Sequence, residues 1–458
     1  MSLFDPPPWK DGLAPVLERM HTFGESIGRL GYDPQARPQA LRWVEFWNEP
    51  FIWGRHVNKA YGTIIDPLQI SHLGGPLAAH SYAAMFNTFV TGAKKENSHL
   101  RFAGPSSSAF AGDNWRHLTD FVLPIVRESH QFLDAITEHH YQGRGRQYSA
   151  EWLVADAAIQ GIAGHSIPIW NTECNDLSDT PGGWGASDDR PNRAGERKRA
   201  AYQVDEILSH IRFIPHLARG RAIHMLNRGR MLNNGEAAAL EFLAPLRGDL
   251  VPIEWNNTQL QAAASRDGDT VHVMVYNDGN HPLSINWDGV KPSAQQRLSW
   301  NADTGSQVVP LSAEDDGTTI PALSAVHFTL HETVVTEQLK REIRPATQPD
   351  GSTAILTHLA PGEIQQLAFN SIPENAILRE LWLVSEGLGS ADGRLILNDE
   401  RVIPLPAGNQ HSLMIQRIAL PADSDLRDGF RLQATPDGVG FRVCTLYGVW
   451  EQVIKTDP

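Results

Sequence analysis

Little in this chain is sulfur, and no part of it is long and apolar. Cys174 and Cys444 are its only cysteines, too few for a disulfide framework. No apolar run approaches the ~20 residues that span a bilayer, so no membrane partner is read. Basic residues are outnumbered, 39 Lys and Arg against 53 Asp and Glu, for a net charge of −14. That balance argues against a nucleic-acid surface. The opening MSLFDPPPWK has no charged segment followed by an apolar core, so no secretory signal is visible.

What remains is ordinary soluble material, 41% hydrophobic and 20% charged, in 458 residues, enough for two to four domains. The first half alternates strand-like runs with helical patterns. Leu13, Val16, Leu17, Met20, Phe23, Ile27 and Leu30 recur at helical spacing. Leu41–Trp47, Leu100–Gly104, Ala135–Tyr141, Ile167–Thr172 and Ala222–Leu226 read as five strands, with helices between them. Such βα alternation predicts a parallel sheet covered by helices. From about Leu250 the grammar becomes all-β. Val271, Val273 and Val275 alternate with polar residues and end at Asn277-Asp278-Gly279, and short strands follow near 283–287, 296–300 and 325–330. The predicted organisation is α/β plus all-β: a partial (β/α)8-type barrel over 1–249, a β-sandwich packed on it over 250–332, a charged and Pro-containing linker over 333–350, and an accessory, carbohydrate-binding-like β-sandwich over 351–458.

The chemistry is concentrated at two strand ends. Leu41–Trp47 runs into Asn48-Glu49-Pro50, and Ile167–Thr172 runs into Glu173. Carboxylates at the C-terminal ends of parallel strands stand where barrel active sites lie. The bland alternative is that Glu49 caps a helix and Glu173 is a solvated loop residue.

The segment Arg42-Trp43-Val44-Glu45-Phe46-Trp47-Asn48-Glu49-Pro50 resembles the strand-4 motif of clan A glycoside hydrolases. The resemblance makes Glu49 the general acid/base. Counted from there, Ile167–Thr172 is strand 7, and Asn171-Thr172-Glu173 puts Glu173 at the nucleophile position. Retaining hydrolysis needs two carboxyls about 5–5.5 Å apart, one protonated and one ionised. It requires no metal or cofactor. By the same resemblance Asn48 would hold a substrate hydroxyl, and a residue of Glu138-His139-His140-Tyr141 would touch the nucleophile. His140 and Tyr141 are the favoured pair, with a satisfied core histidine as the alternative. Two adjacent histidines on one strand face opposite ways, which makes a poor metal site. Thirteen tryptophans leave room for sugar platforms. Trp53 and Trp184, on predicted loops, are the candidates, and His56 is a further candidate substrate contact. Cys174 has no base partner in sequence and reads as a small buried residue.

The order of barrel, sandwich and second sandwich is most similar to family 86, the β-agarases and β-porphyranases, and next to family 39, with β-xylosidases and uronidases. Family 86 implies a polysaccharide or oligosaccharide substrate of the red-algal galactan type. A non-catalytic carbohydrate-binding protein is the rival from another class. One departure stands out. Leu41 is only the forty-first residue, whereas three βα units of a full barrel need about 90. Strands 1 to 3 are therefore expected to be missing, upstream sequence would carry them and a secretory or periplasmic signal, and an open five-stranded remnant is expected to be poorly soluble, inactive or dimeric.

Overall fold

The computed structural model describes residues 13–50, 76–112, 114–141, 145–175, 193–214, 218–223, 226–227, 230–231, 235–251, 253, 255, 259–287, 292–301, 303–312, 315–331, 337–370, 376–388, 393–397, 401–405, 413–420, 426 and 429–455. Two units divide the chain. One comprises Met1–His140, Ala155–Cys174 and His216–Ala222; the other comprises Tyr141–Val154, Asn175–Pro215 and Ile223–Pro458.

The first unit carries the half-barrel. Strands β1 (Trp43–Glu45), β2 (Arg101–Ser108), β3 (Ala135–Tyr141), β4 (Ile169–Asn175) and β5 (Ala218–Ile223) form one sheet in that order. β1 and β2 pair in parallel, Trp43 to Arg101 through Glu45 to Ala103, and β2 pairs with β3 in parallel. β1 is much shorter than the predicted Leu41–Trp47. Leu41 is 79% exposed, and beyond Phe46 the backbone leaves the extended region, with φ of 74° at Trp47 and 45° at Glu49. Side-chain-bearing residues rarely take positive φ, so these values mark a turn held by its surroundings. One such hold is the buried Tyr82 hydroxyl, which donates to the Phe46 carbonyl at 2.8 Å.

Helices α1 (Leu13–Leu30) and α2 (Pro76–Glu96) pack at backbone distance. A Cβ on Gly24 would sit 2.0 Å from the Phe89 carbonyl oxygen, and one on Gly92 would sit 2.2 Å from that of His21. The buried face of α1 is therefore Val16, Met20, Gly24 and Gly28, one residue per turn, rather than the whole apolar set. Phe23 and Leu30 remain 41% and 71% exposed.

In the second unit, helices α5 (Arg193–Phe213) and α6 (Gly235–Leu243) lie on a six-stranded antiparallel sheet. Earlier in the chain, α3 is Leu123–Ser129, in the first unit, and α4 is Gly145–Ala163. The strand Thr270–Asn277 buries both faces. Met274 and Tyr276 pack with Ala200, Val204 and Leu208 of α5, while Val271, Val273 and Val275 pack with Val326 and Phe328. The period of two seen in the sequence is the second of these faces.

The C-terminal part holds two sheets around one core of Leu359, Leu367, Leu381, Leu395, Phe430, Phe441, Leu446 and other apolar side chains. Residues 337–345, read from the sequence as linker, form a nine-residue strand antiparallel to Phe441–Lys455. The reason is the strand's edge position. An edge strand carries charge on its solvent side, and Arg341 uses that side to bind Glu451 at 2.8 Å. A charged stretch and an edge strand look alike until the partner strand is known. The aromatics of 351–458 are Phe369, Trp382, Phe430, Phe441, Tyr447 and Trp450, and all of them are buried. This sandwich therefore presents no aromatic surface on which a sugar could stack.

Candidate active site

Three side chains meet at the C-terminal ends of β1, β3 and β4. His139 Nδ1 lies 3.0 Å from Glu49 Oε1 and 3.7 Å from Glu173 Oε2. One oxygen of each glutamate and the ring nitrogen all lie within 4.8 Å of one another. Local structure explains the convergence. The positive-φ turn after β1 brings Glu49 back over the sheet, and its backbone N–H points at Ser106 Oγ of β2 at 3.5 Å. The Glu173 N–H donates to Asn171 Oδ1 at 3.1 Å, which fixes the end of β4.

Strand alternation sorts the remaining side chains. Trp43 and Trp170 meet with ring centroids 4.3 Å apart, although β1 and β4 are not neighbours in the sheet. They identify the inner face. Two residues further along each strand stand Glu45 and Thr172, and the Thr172 hydroxyl donates to Glu45 Oε1 at 2.7 Å. His139 Nε2 lies 3.1 Å from Thr172 Oγ1 and 3.0 Å from Ser106 Oγ. The inner face thus surrounds one imidazole of β3 with groups from three other strands.

The opposite face takes Glu138, His140 and Asn171. His140 and Glu138 are both fully buried and hydrogen-bonded through His140 Nδ1, and the Asn171 amide donates to His140 Nε2 at 2.8 Å. The preference for His140 over its neighbour is therefore corrected. His140 is a satisfied core histidine, and His139 is the ring beside the carboxylates. Alternation separates the two but does not say which face is inside; the partners on β1, β2 and β4 decide that. Tyr141 is half-buried at the end of β3, and Asn48 is exposed next to Glu49. Trp53 and His56, in 51–75, and Trp184, in 176–192, lie outside the described residues. Cys174 is fully buried. Glu45, Ser106 and Thr172 had no signal of their own in sequence, although Glu45 shares the strand parity of Trp43 and Thr172 that of Trp170.

Accessibility and charge set the chemistry. His139 is 2% exposed, whereas Glu49 and Glu173 are 23% and 33% exposed, so the carboxylates reach solvent and the ring does not. Burial pulls the His139 pKa down, but the hydrogen bond to Glu49 and the charges of Glu173, Glu49 and Glu45 outweigh it and hold it above the ordinary histidine value. The cluster can present a carboxylate nucleophile and a second carboxyl with a proton to give. Its donors are also of the type that bind a divalent cation, yet the Glu49–His139 hydrogen bond uses two of those three atoms, and a hard cation would need further oxygen ligands.

No family model matches the sequence, and no curated protein does. Solved structures match across nearly its whole length. A β-porphyranase of glycoside hydrolase family 86 from the human gut bacterium Bacteroides plebeius aligns with a TM-score of 0.71 at 14% identity, covering 95% of this chain and 82% of that one. BuGH86 in complex with neoagarooctaose aligns with a TM-score of 0.71 at 13% identity, covering 98% of this chain and 77% of that one. At such identity the likeness to these family 86 structures is one of fold, and this chain's own share of it is a partial parallel barrel followed by antiparallel sandwiches.

Proposed function

We propose that this chain is a retaining glycoside hydrolase that cleaves a polysaccharide of the red-algal galactan class. The observation that carries the reading is the cluster of Glu49, His139 and Glu173 at the C-terminal ends of β1, β3 and β4. One oxygen of Glu49 and one of Glu173 lie within 4.8 Å of each other, which suits the short carboxyl separation of double displacement rather than the 6.5–9.5 Å that leaves room for a water. Glu173 attacks the anomeric carbon while Glu49 protonates the glycosidic oxygen as that bond breaks. Glu49 then takes a proton from water, whose oxygen displaces Glu173 from the glycosyl-enzyme. The galactan class is supported by the names of the matched structures, a β-porphyranase and a complex with neoagarooctaose. A polymer does not cross a membrane, so this reading implies an exported enzyme.

The test is release of reducing ends from agarose and porphyran, with xylan and aryl glycosides alongside. Glu49→Gln and Glu173→Gln should each lower the rate by at least the ~10²–10⁴ typical of acid–base groups. The anomer first released, followed by proton NMR, should keep the configuration of the bond cleaved. A Glu173→Gln protein with undiminished hydrolysis would remove the nucleophile assignment. An inverted product would remove the double displacement.

A further inference from the structure

We infer that Glu45 and Thr172 lock the proton of His139 onto Nε2, so that its Nδ1 shares a single proton with Glu49. The inference rests on Glu49 being the acid/base, but its central claim concerns the resting protein.

The argument is proton bookkeeping. The Thr172 hydroxyl has one proton, and it points to Glu45 Oε1 at 2.7 Å. A carboxylate can only accept, so that proton is committed. Thr172 Oγ1 then offers only lone pairs to His139 Nε2 at 3.1 Å. A bare Nε2 would set lone pair against lone pair at Thr172 and have the Ser106 hydroxyl, 3.0 Å away, as its donor, whereas an Nε2–H donates to both oxygens. With Nε2 protonated, the neutral ring has a lone pair at Nδ1, facing Glu49 Oε1 at 3.0 Å. That contact is attractive only with a proton in it, held either as Glu49 O–H to Nδ1 or as imidazolium N–H to a Glu49 carboxylate. Among the described residues, the charged groups facing the ring are Glu45 from β1, Glu49 after it, and Glu173 from β4.

The consequence reaches the reaction. When Glu49 gives up its proton, a lone pair and a carboxylate are left facing each other, and the pair regains the proton from the attacking water. Glu45 touches neither glutamate of the reaction. It is a positioning residue that acts through Thr172 and then His139.

Glu45→Ala is the first variant because Glu45 is exposed and its loss leaves the core intact. It frees the Thr172 proton to turn toward Nε2. Thr172→Val removes the Thr172 acceptor and leaves only the Ser106 hydroxyl, which can turn to donate to Nε2, and Thr172→Ser keeps both oxygens. The readout is the long-range 1H–15N spectrum of histidine-labelled protein without substrate, with His139 assigned from the signals lost in His139→Gln. The wild type and Thr172→Ser should show Nε2 protonated at every pH. Glu45→Ala and Thr172→Val should move the neutral-ring proton to Nδ1. An Nδ1–H tautomer in the wild type, or an unchanged spectrum in both Glu45→Ala and Thr172→Val, would overturn the proposal. On an active chain, an Nδ1–H would donate to the Glu49 carboxylate in place of the shared proton, and kcat/KM on the basic limb should fall about tenfold. Thr172→Ser should restore it. A basic limb undiminished in both variants would also count against the proposal. A chain that hydrolysed nothing would defeat the functional reading and still leave the spectrum to decide this one.

Discussion

His139 Nδ1 and Glu49 Oε1 stand 3.0 Å apart although 90 residues separate them in sequence. The ring is buried, and its folded pKa is raised above the ordinary value of about 6.5. A raised histidine pKa contributes stability that is fully present below the unfolded value and is lost as pH rises through the folded one. The wild type should therefore exceed His139→Gln in stability most strongly below about pH 6.5. The gap should close at higher pH. Urea midpoints measured across a pH series check this, and a gap that widened with pH would contradict the assigned shift.

Glu138 and His140 make the opposite kind of pair, fully buried and away from the carboxylates. Removing one partner of such a pair typically costs about 3–5 kcal/mol, because the other is left in an apolar setting. Glu138→Ala should be destabilised by roughly that amount. Its pH–rate profile, measured below its melting temperature, should match the wild type. A shifted profile with intact stability would place Glu138 in the chemistry instead.

Gly24 is where α1 and α2 touch backbone to backbone, with no room for a methyl group beside the Phe89 carbonyl. Gly24→Ala must push the helices apart, and a cost of about 1–3 kcal/mol is expected in chemical denaturation. Ordinary helix propensity would favour the alanine by up to about 1 kcal/mol, so even the sign of the change is diagnostic.

Glu380 joins helix α5 to the C-terminal sandwich. It binds Arg417 at 2.6 Å, accepts from the Trp382 indole at 2.9 Å, and faces the buried Arg212 of α5 at 3.8 Å. Glu380→Ala should cost about 3–5 kcal/mol, since Arg212 and Arg417 would each lose a counter-charge. Limited proteolysis should then release the C-terminal part sooner than in the wild type. An unchanged digestion pattern would mean that the apolar core of this sandwich holds it without the charges.

Much of this molecule was legible one residue at a time. The βα alternation, the Val271–Val275 pattern and the strand ends at Glu49 and Glu173 are local, because periodicity and turn chemistry are local properties. The face of α1 was not, since Gly24 and Gly28 are silent in an apolar pattern and become the contact only when α2 approaches. Nor was the strand at 337–345, whose charges make sense only beside Glu451. Least legible was the choice between two adjacent histidines. Alternation along β3 guaranteed that His139 and His140 part company, as the sequence alone requires. Which of them meets Glu49 depended on Ser106, Thr172 and Glu45 arriving from three other strands. Proton positions follow from such contacts, and contacts between residues 33 to 127 positions apart exist only in the folded chain.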